Sequence, residues 1–190
     1  MAITQIAYLA LLALVGAGRL IELGISKRNQ QRLAAQGASH VPDFSFLWMV
    51  LWHGSALAAP AVEVLFLNRP FLPWLAAPMF ALLIAANLLR WWVIRTLAMH
   101  WNVQVMNSTA LGVVSSGPYR WIRHPNYVAV FVELVALTLI HTAWLSAIGA
   151  AVVTVFVVSR RLAVEERILL ASPEYRAAMG AKPRFLPGLF

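Results

Sequence analysis

Apolar runs long enough to cross a lipid bilayer recur along this chain, and no other feature restricts its fold so severely. A hydrocarbon layer of about 30 Å takes about 20 apolar residues in a helix, and it offers no water to backbone N–H and C=O groups. The runs Ala2 to Ile25, Phe46 to Phe66 and Pro73 to Thr96 each reach that length. Val128 to Val158 exceeds it, since at about 1.5 Å per residue one helix there would extend over roughly 45 Å. His141-Thr142, near the middle of this run, offers a polar point for reversal, so it reads as a helical hairpin. The expected fold is all-α, a polytopic integral membrane protein of about five transmembrane helices, the last two a hairpin, with a folded cytoplasmic C-terminal tail.

Composition supports this. Of 190 residues 61% are hydrophobic and 12% charged, a balance that leaves too little polar surface for a soluble domain and no room for a second one. The first run lacks a basic leader and contains Arg19 and Glu22 in place of a cleavage site, so it reads as a retained helix and not a signal peptide. With no cysteine, disulfides, thiolate metal sites and a cysteine nucleophile are excluded, and no metal site is expected. The net charge of +8 does not point to nucleic acid, because the fifteen Lys and Arg fall between hydrophobic segments and form no single basic face.

Lys27, Arg28 and Arg32 lie in the first loop, Arg120 and Arg123 in the third, and Arg160, Arg161, Arg167, Arg176, Lys182 and Arg184 in the tail. The other side receives only Arg69. By the positive-inside rule the N-terminus lies outside and the C-terminus in the cytoplasm, with five spans. The expected organisation is one membrane domain over 1–190: spans one to three in 1–99, a cytosolic loop in 100–127, the hairpin in 128–158, and an amphipathic helix and tail in 159–190. Within that tail Ser172-Pro173-Glu174 reads as the cap, N1 proline and first turn of a short helix to about Met179, stopped by Gly180.

The third loop is the place where chemistry gathers. Gly117-Pro118 and His124-Pro125-Asn126 are turn signals, Tyr119, Trp121 and Tyr127 supply ring faces, and Arg120, Arg123 and His124 supply hydrogen-bond donors. Irregular backbone near membrane depth must line protein or an aqueous cavity. An interfacial loop with its aromatic belt and arginines would share this composition. Further on, Arg161 and Glu165 share a helix face at i, i+4 while Glu166 points about 100° away. A carboxylate there can receive a cationic ligand, or form a mere surface pair. Glu133, less than two turns beyond Tyr127, is a candidate to contact an acceptor or act as a base, against a structural pairing with Arg90 or His53.

Taken in order, Gln104, Leu111 to Val114, Gly117-x-Tyr119, Arg123-His124-Pro125-x-Tyr127, Arg161, Glu165-Glu166-x-x-Leu169 and Arg184-Phe185-Leu186-Pro187 resemble the isoprenylcysteine carboxyl methyltransferase family of integral-membrane enzymes. The resemblance covers roughly the C-terminal half. It implies S-adenosyl-L-methionine as cofactor, held by Gln104, Leu111, Gly112, Val113, Val114, Tyr119, His124, Pro125, Asn126, Tyr127 and Glu165, with Arg161 on the acceptor side. Two departures stand out: Leu111 replaces a histidine usual in the family, and Ala129 a glycine. The N-terminal half is similar to the family's bacterial branch, which implies a bacterial inner membrane and a lipophilic acceptor such as an alkylpyrone- or alkylresorcinol-like lipid, with a prenylated cysteine carboxylate as the other option. Two rival readings are an NADPH-dependent, sterol-reductase-like membrane oxidoreductase, whose group shares a similar Arg-His-x-Asn-Tyr loop, and a non-catalytic lipid-binding membrane protein.

Overall fold

The computed structural model describes residues 1–41, 45–108 and 111–186. Pro187, the last residue of the tail motif, lies outside the described residues. Helix α1 spans Ile3–Ala35, α2 Ser45–Phe66, α3 Pro73–Leu97, α4 Pro125–Leu139, α5 Trp144–Leu169 and α6 Pro173–Met179. Strands β1 (Ser39–His40) and β2 (Met106–Asn107) pair antiparallel, Ser39 opposite Asn107 and His40 opposite Met106. Among the described residues the protein is thus all-α apart from one short ladder.

Among the described residues four stretches, Ile3–Ala35, Phe46–Phe66, Pro73–His100 and Trp144–Leu169, are long and apolar enough to cross a membrane, and the protein is an integral membrane protein on that basis. The fifth expected span, α4, has 15 residues. At about 1.5 Å per residue it covers about 22 Å, short of a bilayer core. It is enclosed by its neighbours: Ala129, Val130, Glu133, Leu134, Ala136, Leu137 and Thr138 are all buried. Lipid therefore does not set its length.

The long apolar run does reverse at His141-Thr142, between Leu139 and Trp144, with Thr142 at a φ of 53°. Backbone groups at this bend find partners within the protein, as a membrane demands, whereas both ring nitrogens of the buried His141 have no hydrogen-bond partner among the described residues. The carbonyls of Ala136, Thr138 and Leu139 accept from the amides of Ile140, Ala143 and Thr142. The Leu137 carbonyl accepts from the Tyr8 hydroxyl at 3.0 Å. The start of α5 is capped from another helix: Glu63 of α2 accepts from the amides of Leu145 (3.1 Å) and Ser146 (2.7 Å) and from the Ser146 hydroxyl (2.7 Å), and pairs with Arg69 at 2.8 Å. Around these contacts Tyr8, Leu12, Val64, Leu83, Leu137 and Ile140 form one core cluster.

At the other end the boundaries differ from those expected. Helix α1 continues ten residues past Ile25, because Ser26, Asn29 and Leu33 give its extension a buried face. Helix α5 does not break at Val158 but runs on to Leu169, so the last span and the amphipathic segment are one helix. The α1 extension holds the chain leaving α3: Asn29 Nδ2 donates to the carbonyls of Ala98 (2.9 Å) and Trp101 (2.8 Å), and Ser26 Oγ accepts from the Val103 amide at 2.9 Å. The short helix α6 follows the predicted bounds, with the Ser172 hydroxyl accepting from the Tyr175 amide.

Candidate functional site

Where α5 emerges beside the 116–127 loop, Tyr127 joins two side chains of α5. Its hydroxyl accepts from Arg161 Nε at 3.1 Å and donates to Glu165 Oε2. Arg161 and Glu165 lie one turn apart on α5, so a single phenol at the start of α4 can bridge both. Arg161 also donates through Nη2 to the Val103 carbonyl at 2.5 Å, which ties the segment after α3 to the same point. Three stretches distant in sequence thus converge on one side chain.

Glu166 turns the other way. It pairs with Arg184 (2.7 Å), His124 Nε2 (3.1 Å) and Arg123 (3.3 Å). The loop and tail are further joined by backbone bonds, the Arg123 amide to the Pro183 carbonyl (2.9 Å) and the His124 amide to the Arg184 carbonyl (3.0 Å). A carboxylate only accepts, so His124 donates from Nε2, and in the neutral ring Nδ1 carries the lone pair. Burial holds His124 below the usual histidine range, against the opposing pull of Glu165 and Glu166, so the neutral ring is the resting form at pH 7. Lys182 closes the tail onto the loop by donating to the Tyr119 carbonyl at 2.8 Å.

These elements enclose a cavity of about 400 Å³, within the usual size of a small-molecule site. Of the residues singled out from sequence, Gln104, Gly112, Val113, Val114, Tyr119, His124, Asn126, Tyr127, Arg161 and Glu165 line it. Leu111 and Pro125 are not among its lining residues. Pro125 is the N1 residue of α4 and sets the direction of that helix. Glu133 lies off the cavity, on a void of about 10 Å³; its ion pair is with Arg19 at 3.3 Å, and the expected partner Arg90 borders the same void and interacts with its charge.

The cavity also has lining that the sequence reading did not assign. Trp101, Asn102 and Tyr175 border it on the loop side, and Trp52, His53 and Arg90 reach it from the spans. Asn102 carries no distinguishing signal in sequence and Trp52 was visible only as part of an apolar run; His53 and Arg90 stood out as ionisable residues inside spans, but as pairing partners for Glu133 and not as cavity lining. Asn102 Oδ1 and Asn126 Oδ1 are buried acceptors with no partner among the described residues. Burial raises the Tyr175 hydroxyl to about 12 and the Tyr119 hydroxyl well above the usual tyrosine range, and the Glu165 charge pushes both the same way. Both phenols stay protonated and can donate to a ligand. The wall therefore combines an anionic carboxylate, unpaired amide acceptors, phenol donors and ring faces, a set suited to a ligand with cationic and hydrogen-bonding parts.

Gly117 fixes how the loop meets α3. It sits at a φ of 56°, and a Cβ there would collide with the Thr96 side chain. Only glycine combines that backbone geometry with this close approach.

The family model described as "Isoprenylcysteine carboxyl methyltransferase (ICMT) family" matches residues 79–171. That stretch carries α3, the loop, α4 and α5, and so most of the cavity wall described above. The chain is also similar to YpbQ of Bacillus subtilis (strain 168), an uncharacterized protein, with 25% identity over 160 residues that cover 84% of this chain and 94% of that one. Over residues 79–171 the chain is thus similar to the isoprenylcysteine carboxyl methyltransferase family, whose members are membrane methyltransferases.

Proposed function

We propose that this protein transfers a methyl group from S-adenosyl-L-methionine to an oxygen of a lipophilic acceptor within the membrane. The observation that carries the reading is the Tyr127 hydroxyl held between Arg161 and Glu165 on the wall of the cavity. The family match supports the donor, since methyltransferases of that family generally use it. When bound, the donor supplies an electrophilic methyl on a sulfonium cation.

The residues present fit such a group. Glu165 offers a negative charge to its ammonium, while Asn102 and Asn126 offer unpaired amide oxygens to amino or hydroxyl donors. Tyr119, Tyr127 and Tyr175 offer ring faces toward a cation or an adenine. Gln104, Gly112, Val113, Val114 and the neutral His124 complete this side. Leu111 and Pro125 do not line the cavity; Pro125 opens α4, and Leu111 in place of a family histidine leaves one polar cofactor contact absent. Glu166 keeps the pocket's shape by fastening loop and tail to α5.

On the acceptor side Arg161 orients the oxygen that is methylated. A cation there also stabilises an anionic ground state, so its gain comes from positioning. Low dielectric in a dry pocket favours a step that consumes the sulfonium charge. Glu133 acts as part of an ion network beside the cavity. The acceptor is a lipid-like molecule: an alkylpyrone- or alkylresorcinol-type enol or phenol, or a prenylated cysteine carboxylate. The distribution of Lys and Arg supports an N-terminus outside and a C-terminus in the cytoplasm of a bacterial inner membrane.

The test is ligand-dependent stability. Purified protein in detergent should melt at higher temperature with S-adenosylhomocysteine and not with NADPH; stabilisation by NADPH alone overturns the reading in favour of a reductase, and by neither in favour of a lipid-binding role. With saturating donor, Arg161→Ala should lower turnover on the order of 10²-fold. Unchanged turnover and acceptor affinity in that variant remove its role.

A further inference from the structure

The loop that walls the cavity also has an outer face. Tyr119 is buried and lines the cavity, whereas its neighbours Arg120 and Trp121 are exposed. The Trp121 ring meets Trp92 of α3 edge-on, with centroids 5.7 Å apart, and the Arg120 guanidinium lies 5.0 Å from the Trp121 centroid. Nearby, Gly117 abuts the Thr96 side chain. Loop and helix end thus form one surface.

Arg95 belongs to that surface. It stands three residues past Trp92, on the same side of α3 and about 4.5 Å further along it, and it is exposed. Trp92 and Trp121 remain 45% and 48% exposed although they pack on each other, so the pair of rings is open to a further molecule. Neither Arg95 nor Arg120 has a carboxylate partner among the described residues, where every ion pair is made by other cations.

Toward the middle of the span this side of α3 is apolar. Ile84, Leu88, Trp92 and Arg95 fall within an arc of about 80° around the helix, and the three apolar ones are exposed along a length of about 12 Å. In a span, an exposed apolar stripe of this kind lies against acyl chains. Indole rings mark the level at which chains give way to headgroups. A molecule seated here meets hydrocarbon first, then aromatic rings, then two unpaired positive charges.

That order selects the occupant. An acyl chain on the stripe places a phosphate beside the arginines, whose planar donor forks match phosphate oxygens. A second copy of this chain complements the charges poorly. It carries a net charge of +8, and Glu174 is the one exposed carboxylate among the described residues.

We propose that Trp92, Arg95, Arg120 and Trp121 form a seat for an anionic phospholipid, with an acyl chain along Ile84 and Leu88 and the headgroup between the two arginines. The seat lies outside the cavity and needs neither donor nor acceptor within it, so it stands independently of the methyl-transfer reading. Its effect on the cavity is mechanical. The lipid holds the loop at its outer face, as Lys182 holds it from the tail through the Tyr119 carbonyl.

The experiment uses the full chain, delipidated in detergent, with dioleoylphosphatidylglycerol, dioleoylphosphatidylcholine and inorganic phosphate as probes and native mass spectrometry to count bound lipid. Phosphatidylglycerol should bind about tenfold or more tightly than phosphatidylcholine, and it alone should raise the melting temperature. Arg95→Gln combined with Arg120→Gln should bring the two lipids within about twofold of each other. The lipid-free melting temperature should stay unchanged, since both side chains are exposed and unpaired. Each single variant should lose about three- to fivefold, which decides the matter should the double variant fail to fold. Arg160→Gln removes a different exposed cation, which lies over Phe156 of α5, and should leave the preference within about twofold. Equal binding of the two lipids, a preference that survives both arginine substitutions, or an equal loss in Arg160→Gln overturns the seat. So does displacement of phosphatidylglycerol by inorganic phosphate at a similar concentration, which would assign the arginines to a free anion.

Discussion

Glu165 and Glu166 are adjacent in the chain yet face different partners: Glu165 meets the Tyr127 hydroxyl on the cavity wall, while Glu166, itself off the cavity, binds Arg123, His124 and Arg184. A turn of about 100° per residue on α5 is enough to separate a ligand-facing carboxylate from a fastening one. Glu165→Gln should keep the melting temperature within a few degrees and weaken S-adenosylhomocysteine binding by about tenfold or more, read by calorimetry. Glu166→Gln should do the reverse first, costing about 2 kcal/mol of stability because it loosens charge-assisted bonds to loop and tail. Equal effects of the two substitutions would contradict this division.

Gly117→Ala should destabilise the protein by about 2 kcal/mol or more. Positive φ costs a non-glycine residue about 1–2 kcal/mol, and the new methyl also meets Thr96. Adding Thr96→Ala should relieve the collision but not the backbone cost, so the double variant should melt between the single variant and the natural protein. Full recovery would show that the backbone angle carries no strain.

The Glu63 carboxylate links the start of α5 to α2 and Arg69, in surroundings where water is scarce. Glu63→Ala leaves two amides and one guanidinium without their acceptor. A loss of about 3 kcal/mol is expected, measured as thermal or denaturant unfolding in detergent, with donor affinity of the folded fraction unchanged. A drop in donor affinity without loss of stability would place Glu63 in a different role.

His124 sets a pH dependence whose sign follows from its burial. Its folded value is depressed below that of the unfolded chain, about 6.5, so over the interval between the two the unfolded state binds more protons. Stability should therefore hold above about pH 6.5 and decline as pH falls through the interval toward the depressed folded value. His124→Gln, which can still donate to Glu166, should flatten the slope just below pH 6.5. An unchanged slope would assign the acid sensitivity to other groups.

The repeated apolar runs were legible because membrane crossing imposes a length requirement on contiguous residues. The reversal at His141-Thr142 and the bounds of α6 were legible for a similar reason, since turn and cap residues act within three or four positions of themselves. The extension of α1 was not, because its buried face answers to residues about seventy positions away, Ala98, Trp101 and Val103. Likewise the convergence of Tyr127, Arg161 and Glu165 could be suggested from sequence only by resemblance, with no geometry attached.

What the sequence by itself determined is the set of elements: which stretches are apolar helices, where the chain turns, and which loop carries aromatic and basic groups. Only the tertiary structure decided the partners. It set Glu165 into the cavity and Glu166 against the tail, gave Glu133 to Arg19, used Glu63 to cap a helix that is not its own, and brought His53 to the inner end of the cavity. Local sequence fixes periodicity and backbone preference within a few residues, whereas the partner of a charged or polar side chain is chosen by how helices pack. In a membrane that choice is enforced, because a polar group left unpaired has no water to fall back on.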